Sequence, residues 1–145
     1  MRYNNKIEQL YKKAKQLGCC DIFTGKETEI KEIVTLLMSP QGIEFCVKNG
    51  FPSLDDFRYF GNETLNEYGI YVDSGYIFLD NPKNVIIVGD TKAHICCNST
   101  NVHNIIVIHG ATCIVRAKLY SIVHVQKDNS SVVSVLNEDF ARVIQ

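Results

Sequence analysis

The stretch that decides the fold is VIIVGDTKAHICC, residues 85–97. It contains a run of β-branched residues, a turn of small and polar residues, and a second short run with apolar side chains. β-Branched residues favour strands because their stiff side chains pack well on a pleated surface. Gly89, Asp90 and Thr91 are typical turn residues. The stretch therefore predicts two short strands joined by a tight turn.

The same pattern recurs on both sides of this stretch, at intervals of roughly 16 to 20 residues, a range in which solenoids are expected. Further first strands are predicted at residues 70–72, 105–108, 122–125 and 141–143, and further second strands at 77–79, 114–117 and 132–135. Aligning the repeats predicts four inward apolar columns, because one coil is too small to bury its own apolar face. The columns are Val72, Val88, Ile108, Val125 and Val143; Ile70, Ile86, Ile106, Val123 and Ala141; Ile77, Ile95, Val115 and Val133; and Leu79, Cys97, Ala117 and Val135.

The first part of the chain has helical rather than strand periodicity. Apolar residues of residues 7–17 recur at helical spacing, Thr24 to Glu27 has the spacing of a capping box, and Ser39-Pro40 is typical of a helix start. We therefore predict an α+β protein with a small helical cap, residues 1–67, followed by a short β-solenoid (single-stranded β-helix), residues 68–145. The alternative is an antiparallel β-sandwich, since turns every 8–12 residues fit that architecture too.

The outward positions of the first strands predict an interaction surface, made of Tyr71, Ile87, Val107, His124 and Arg142. The early members are apolar, which is unusual for a solvated face, so either the helices or another protein should cover them. We expect the partner to be a protein, either a second copy or another chain, and we expect a homo-oligomer. The last predicted strand offers a second route to self-association, because an edge strand has unpaired backbone groups.

Composition disfavours several classes of partner. The formal net charge is -1, so there is no general positive field for nucleic acid. The N-terminus is polar, and no apolar run approaches a membrane span. We therefore expect a cytoplasmic protein, virion-associated if phage-encoded, that binds neither nucleic acid nor membrane. In a reducing compartment the six cysteines should be free thiols that pack as small hydrophobic side chains.

Candidate catalytic and metal-binding groups lack the expected patterns. The four histidines and the nearby Cys96, Cys97 and Cys113 lack the ligand spacing of a zinc site. Cys113 and His109 could be imagined as a nucleophile and base, but nothing orients the histidine. Asp73, Asp90 and Asp128 occupy similar turn positions, where aspartates usually bond their own backbone. We predict no catalytic residue, metal or cofactor, and a non-enzymatic binding or assembly function. The alternative enzyme hypotheses are a hexapeptide-like acyltransferase and a carbohydrate-active protein.

Several motifs resemble those of a family of small proteins, without assigned activity, encoded in genomes of gut Bacteroidota and in their phages or mobile elements. The resemblance covers most of the chain, and its more specific pieces are Ser39-Pro40-Gln41-Gly42 and Phe51-Pro52-Ser53-Leu54. It continues through the residues at 19–27, 43–46, 68–73 and 109–111. The resemblance transfers no catalytic residue. It implies a role as a phage virion component or as a host-interaction protein of a mobile element.

Overall fold

The computed structural model describes residues 4–18 and 30–145. The chain divides into two compact units, residues 1–52 and 53–145. The described helices of the first unit are α1 (Asn4–Gln16), α2 (Ile30–Leu37) and α3 (Pro40–Asn49), and the second unit contains α4 (Leu54–Phe60), α5 (Asn62–Asn66) and the strands. The capping box predicted at residues 24–27 lies outside the described residues.

The helix boundaries follow local capping. The Ser39 side chain accepts a hydrogen bond from the N–H of Gly42, at 3.1 Å, and Pro40 occupies the first turn of α3. Ser53 and Asp56 form a reciprocal capping box at the start of α4. These contacts satisfy N–H groups that have no partner inside a helix. The helix starts predicted at Ser39-Pro40 and at Ser53 are confirmed.

The second unit is a parallel β-solenoid built from two sheets. Sheet A contains β1 (Ile70–Val72), β3 (Asn84–Val88), β5 (Val102–Ile108), β7 (Ile122–Lys127) and β9 (Arg142–Ile144), and sheet B contains β2 (Gly75–Asp80), β4 (Thr91–Cys97), β6 (Thr112–Ala117) and β8 (Val132–Asn137). Each strand pairs in parallel with the strand two places along the chain. The predicted α+β solenoid is therefore confirmed, and the antiparallel sandwich is wrong.

The register of sheet A differs from the predicted one after the third coil. Ile86 pairs with Ile70, 16 residues earlier, and with Ile106, 20 residues later. The next coil also advances by 20 residues, so that Val125 lies beside Ile105 rather than Ile108. The prediction assumed a shorter coil because it aligned the carboxyl ends of the apolar runs. Val72, Val88 and Ile108 do form one column, as predicted.

The register of sheet B differs from the predicted one by two residues at several steps. Ile95 pairs with Val115 as predicted, whereas Ile77 pairs with Ala93 and Val115 with Val135. Leu79 pairs with Ile95 and Ala117 with Asn137, so only the Cys97–Ala117 step of the fourth column is correct. A shift of two residues keeps each side chain on the same face of a strand. The predicted inner face of sheet B therefore remains correct.

The main core lies between the two sheets. Odd-numbered residues of both sheets form one cluster, in which Val85, Ile105 and Val123 come from sheet A, and Ile95 and Val115 from sheet B. These side chains are fully buried or nearly so. Burial of aliphatic surface is the dominant stabilising term for such a stack.

Candidate interaction surface

The structure does not bring the five predicted interaction residues together on an outer face. Tyr71, Ile87 and Val107 form one column, but this column faces the core between the sheets. Ile87 and Val107 are fully buried, and Tyr71 is half-buried against the same core. His124 instead aligns with Asn104 and Ile144, and Arg142 aligns with Ile122. The predicted outward column is wrong because the inner and outer faces of the first three sheet A strands were exchanged, as a shift of one residue does.

The true outer face of sheet A is also buried over its first three strands. Its even-numbered residues include Ile70, Ile86 and Ile106. Helices of the same unit pack at this part of the solenoid: the Phe57 ring of α4 lies 5.9 Å from the ring of His109, and α5 contacts β1. This part of sheet A is therefore not a free surface.

Asp73 fastens α4 to the first turns of the solenoid. Arg58 Nε donates to Asp73 Oδ2 at 2.6 Å, and the N–H of Asp90 donates to Asp73 Oδ1 at 2.8 Å. The hydrogen bond from Arg58 holds the pKa of Asp73 below its ordinary value, because it favours the ionised carboxylate. The predicted turn role of this aspartate therefore extends to a tertiary contact.

Asp128 plays a comparable part later in the stack. Its carboxylate accepts hydrogen bonds from the N–H of His109 at 2.8 Å and from the hydroxyls of Ser131 and Ser130 at 2.7 and 2.9 Å. Burial opposes ionisation of Asp128, but these hydrogen bonds outweigh it and the pKa is lowered. Asp128 thus connects two successive turns rather than serving as an acid in a groove.

We expect acid to destabilise the second unit partly through Asp73 and Asp128. Both pKa values are lowered by folding, so the stabilisation is present above the unfolded value of about 4 and is lost as the pH falls below it. Urea unfolding at neutral and acidic pH measures the effect. The double variant Asp73→Asn/Asp128→Asn should be less stable at neutral pH and should lose less stability in acid. An identical loss in both proteins would contradict this assignment.

The buried cysteines lack the properties of a nucleophile. Burial raises the pKa of Cys97 to about 11 and that of Cys113 to about 12. The thiolate, which is the reactive form, is therefore scarce at neutral pH. Cys113 is fully buried in the core between the sheets. Its packing role accounts for its position.

His103 is the most buried histidine of the described part of the chain, and its ring is held from two sides. Its Nδ1 lies 2.7 Å from the carbonyl oxygen of Pro82, and its Nε2 lies 3.2 Å from the hydroxyl of Ser99. These contacts give it a structural role, because a buried polar ring needs partners. Among residues 4–18 and 30–145, no group of three or more His, Cys, Asp or Glu residues could hold a metal ion. No helix in these same ranges has the length and apolar character needed to cross a membrane.

The outer face of sheet B is the exposed sheet face. Tyr76 and Phe78 project from β2 and are both 79% exposed. The Phe78 ring lies 5.5 Å from that of His94 on β4, and the Lys92 ammonium lies 5.1 Å from the centre of the Tyr76 ring. Exposed apolar side chains continue on this face as Ile114, Val132 and Leu136. The prediction had treated this face as mixed and more polar.

The last coil, defined as β8, β9 and the turn that joins them, is incompletely buried. Its inward residues Val133, Val135 and Val143 are only half-buried and pack against the core. Their partners one coil earlier, Cys113, Val115 and Val123, are fully buried. Within the part of the chain that the structure describes, β8 and β9 each pair with a neighbouring strand on one side only. The last coil therefore has apolar side chains and backbone groups available for a partner.

The outer side of the last coil is also apolar. Val132, Leu136, Phe140 and Ile144 are all exposed, with Phe140 at 71%. The Phe140 ring stacks on that of Tyr120 at 5.1 Å with an interplanar angle of 7°. Sequence reasoning missed this cluster, although the 20-residue spacing of Tyr120 and Phe140 equals the coil length and could have indicated it.

Comparisons with protein-family models, with curated proteins and with solved structures gave no match for this chain. The functional argument therefore depends on the geometry described above.

Proposed function

We propose that the protein is a non-enzymatic assembly module whose last coil binds a second copy of the same chain. One observation carries the proposal: Val133, Val135 and Val143 are half-buried, although every residue directly below them in the stack is fully buried. The surface that would complete their burial has the cross-section of one more coil. A second copy supplies that cross-section, because its own last coil has the same outline.

The edge of β8 supports this proposal. The strand reads VVSVLN, residues 132–137, and it contains no charged residue and no proline. Free edge strands in monomeric proteins are usually protected by lysine, proline or a bulge, because their unpaired N–H and C=O groups otherwise recruit another strand. Strand addition across this edge would satisfy those groups and cover the apolar residues together.

The expected affinity is moderate. Completing the burial of one large apolar side chain contributes up to about 1.5–3 kcal/mol, and less for a side chain that is already half-buried. Each copy contributes the three inward valines and the exposed Val132 and Leu136. Association costs about 4–15 kcal/mol in lost freedom of motion, so a dissociation constant on the order of micromolar is expected.

Sedimentation velocity over a concentration series tests the proposal. The wild-type chain should change from monomer to dimer with concentration. Leu136→Lys, which places a charge at the free edge on both copies, should raise the dissociation constant at least tenfold, on the order of 1.4 kcal/mol. Ile114→Lys is the matched control, because Ile114 lies on the same outer face one coil earlier and should change the constant little. A wild-type chain that stays monomeric at its highest soluble concentration would refute the proposal.

The narrower roles considered from the sequence stay predictions. They are a virion component or host-interaction protein of a mobile element, and, as enzyme hypotheses, a hexapeptide-like acyltransferase or a carbohydrate-active protein. A cytoplasmic location and a partner other than a second copy likewise stay predictions.

A further inference from the structure

We infer that the two copies are related by a two-fold axis, with β8 and β9 of one copy antiparallel to β8 and β9 of the other, so that assembly stops at a dimer. This inference rests on the proposed self-association through the last coil. It adds which edges meet, in which direction and in which register.

The opposite end of sheet A argues against head-to-tail growth. A head-to-tail filament would pair the edge of β9 with the edge of β1 in the next copy. At β1 the N–H of Val72 already donates to Asn62 Oδ1 at 3.1 Å, and the hydroxyl of Ser74 donates to the same oxygen at 2.8 Å. Asn62 begins α5, which packs along β1. This edge is therefore occupied, whereas the last coil offers free edges on both sheets to a copy of itself.

The alternation of side chains selects the register. A two-fold axis perpendicular to sheet B keeps inward residues opposite inward residues. Centred on β8, it places Ser134 opposite Ser134 of the second copy and Val133 opposite Val135 of the second copy. On the outer face Val132 then meets Leu136 of the second copy, so two exposed apolar side chains cover each other. A slip by one residue would turn Ser134 toward the apolar core.

Charge is compatible with this direction. The antiparallel arrangement brings the turn before β8, next to the exposed Lys127, close to the turn after β8 of the second copy. That turn carries Glu138 and Asp139, so the interface would place a cation near two carboxylates, twice by symmetry.

Cysteine cross-linking tests the register. Paired Cβ atoms on antiparallel strands lie about 4.5–5.5 Å apart, close enough for a disulfide after a small adjustment. Ser134→Cys should therefore give mostly covalent dimer under mild oxidation. Ile114→Cys, at the same column position one coil earlier, and the wild-type chain with its native cysteines should stay largely uncross-linked.

A mixing experiment makes the test specific. Val132→Cys alone and Leu136→Cys alone should form little covalent dimer, whereas an equal mixture should form the heterodimer. Peptide mapping by mass spectrometry identifies the joined cysteines. A sedimenting dimer that cross-links at Ile114→Cys but not at Ser134→Cys, or particles that keep growing with concentration, would overturn this inference and leave self-association standing. A chain that is monomeric throughout would overturn both.

Discussion

Replacing Ile87 with alanine is expected to lower the free energy of unfolding by about 2–5 kcal/mol. Ile87 is fully buried between the two sheets, with Tyr71 on one side of its column and Val107 on the other. Alanine removes three carbon atoms and leaves a cavity that neighbouring strands cannot close, because their register is held by parallel pairing on both sides. Urea unfolding followed by circular dichroism measures the change.

Phe78→Ala is the matched control for Ile87→Ala. Phe78 lies on the outer face of sheet B and is largely exposed, so its truncation should change the free energy of unfolding by only about 0.5 kcal/mol. The two variants together discriminate between the observed register and the outward column predicted from the sequence. If Ile87→Ala were as harmless as Phe78→Ala and weakened self-association instead, Ile87 would have to face outward.

Gly89→Ala is expected to have an effect of similar size for a different reason. Gly89 has a φ of +67°, and a Cβ there would lie 2.5 Å from Asp73 Oδ1 and 2.9 Å from Leu54 Cδ1. Alanine in the left-handed conformation costs about 1–2 kcal/mol, and the overlap adds about 1–3 kcal/mol. The overlap also disturbs Asp73, which binds both Arg58 and the N–H of Asp90.

Gly75→Ala separates these two contributions. Gly75 has the same φ of +67°, but a Cβ added there would have no neighbouring atom within 4 Å. This variant should lose only the conformational part, about 1–2 kcal/mol. Thermal and urea unfolding of both variants against wild type give the difference. Equal losses would mean that the packing of Asp73 and Leu54 around Gly89 contributes nothing.

The chemical role of the turns was only partly predictable. The sequence indicated that Asp73 and Asp128 sit in turns and bond backbone groups. It did not indicate that Asp73 also binds Arg58 on α4, or that Asp128 spans two coils to reach the N–H of His109. Both partners are distant in sequence, so no local pattern reports them.

The candidate interface illustrates the same limit. The sequence predicted an edge at the last strand, because the apolar repeats could be counted along the chain. It could not show that Val133, Val135 and Val143 are half-buried, since exposure depends on what lies above them in the stack. The exposed cluster of Val132, Leu136 and Phe140 was missed because their sequence neighbours are equally apolar, and only the direction of each side chain distinguishes them.

By itself, the sequence determined that the chain is helical first and then winds in successive coils, because β-branched runs separated by small turn residues recur at a coil-length interval. Only the tertiary structure decided which face of each sheet A strand is inside. Side chains alternate along a strand with a period of two, so a coil-length error of an odd number of residues exchanges the faces, whereas the even error in sheet B did not. The 20-residue pairing of β5 with β7 settled that parity and turned Ile87 and Val107 from predicted contact residues into core.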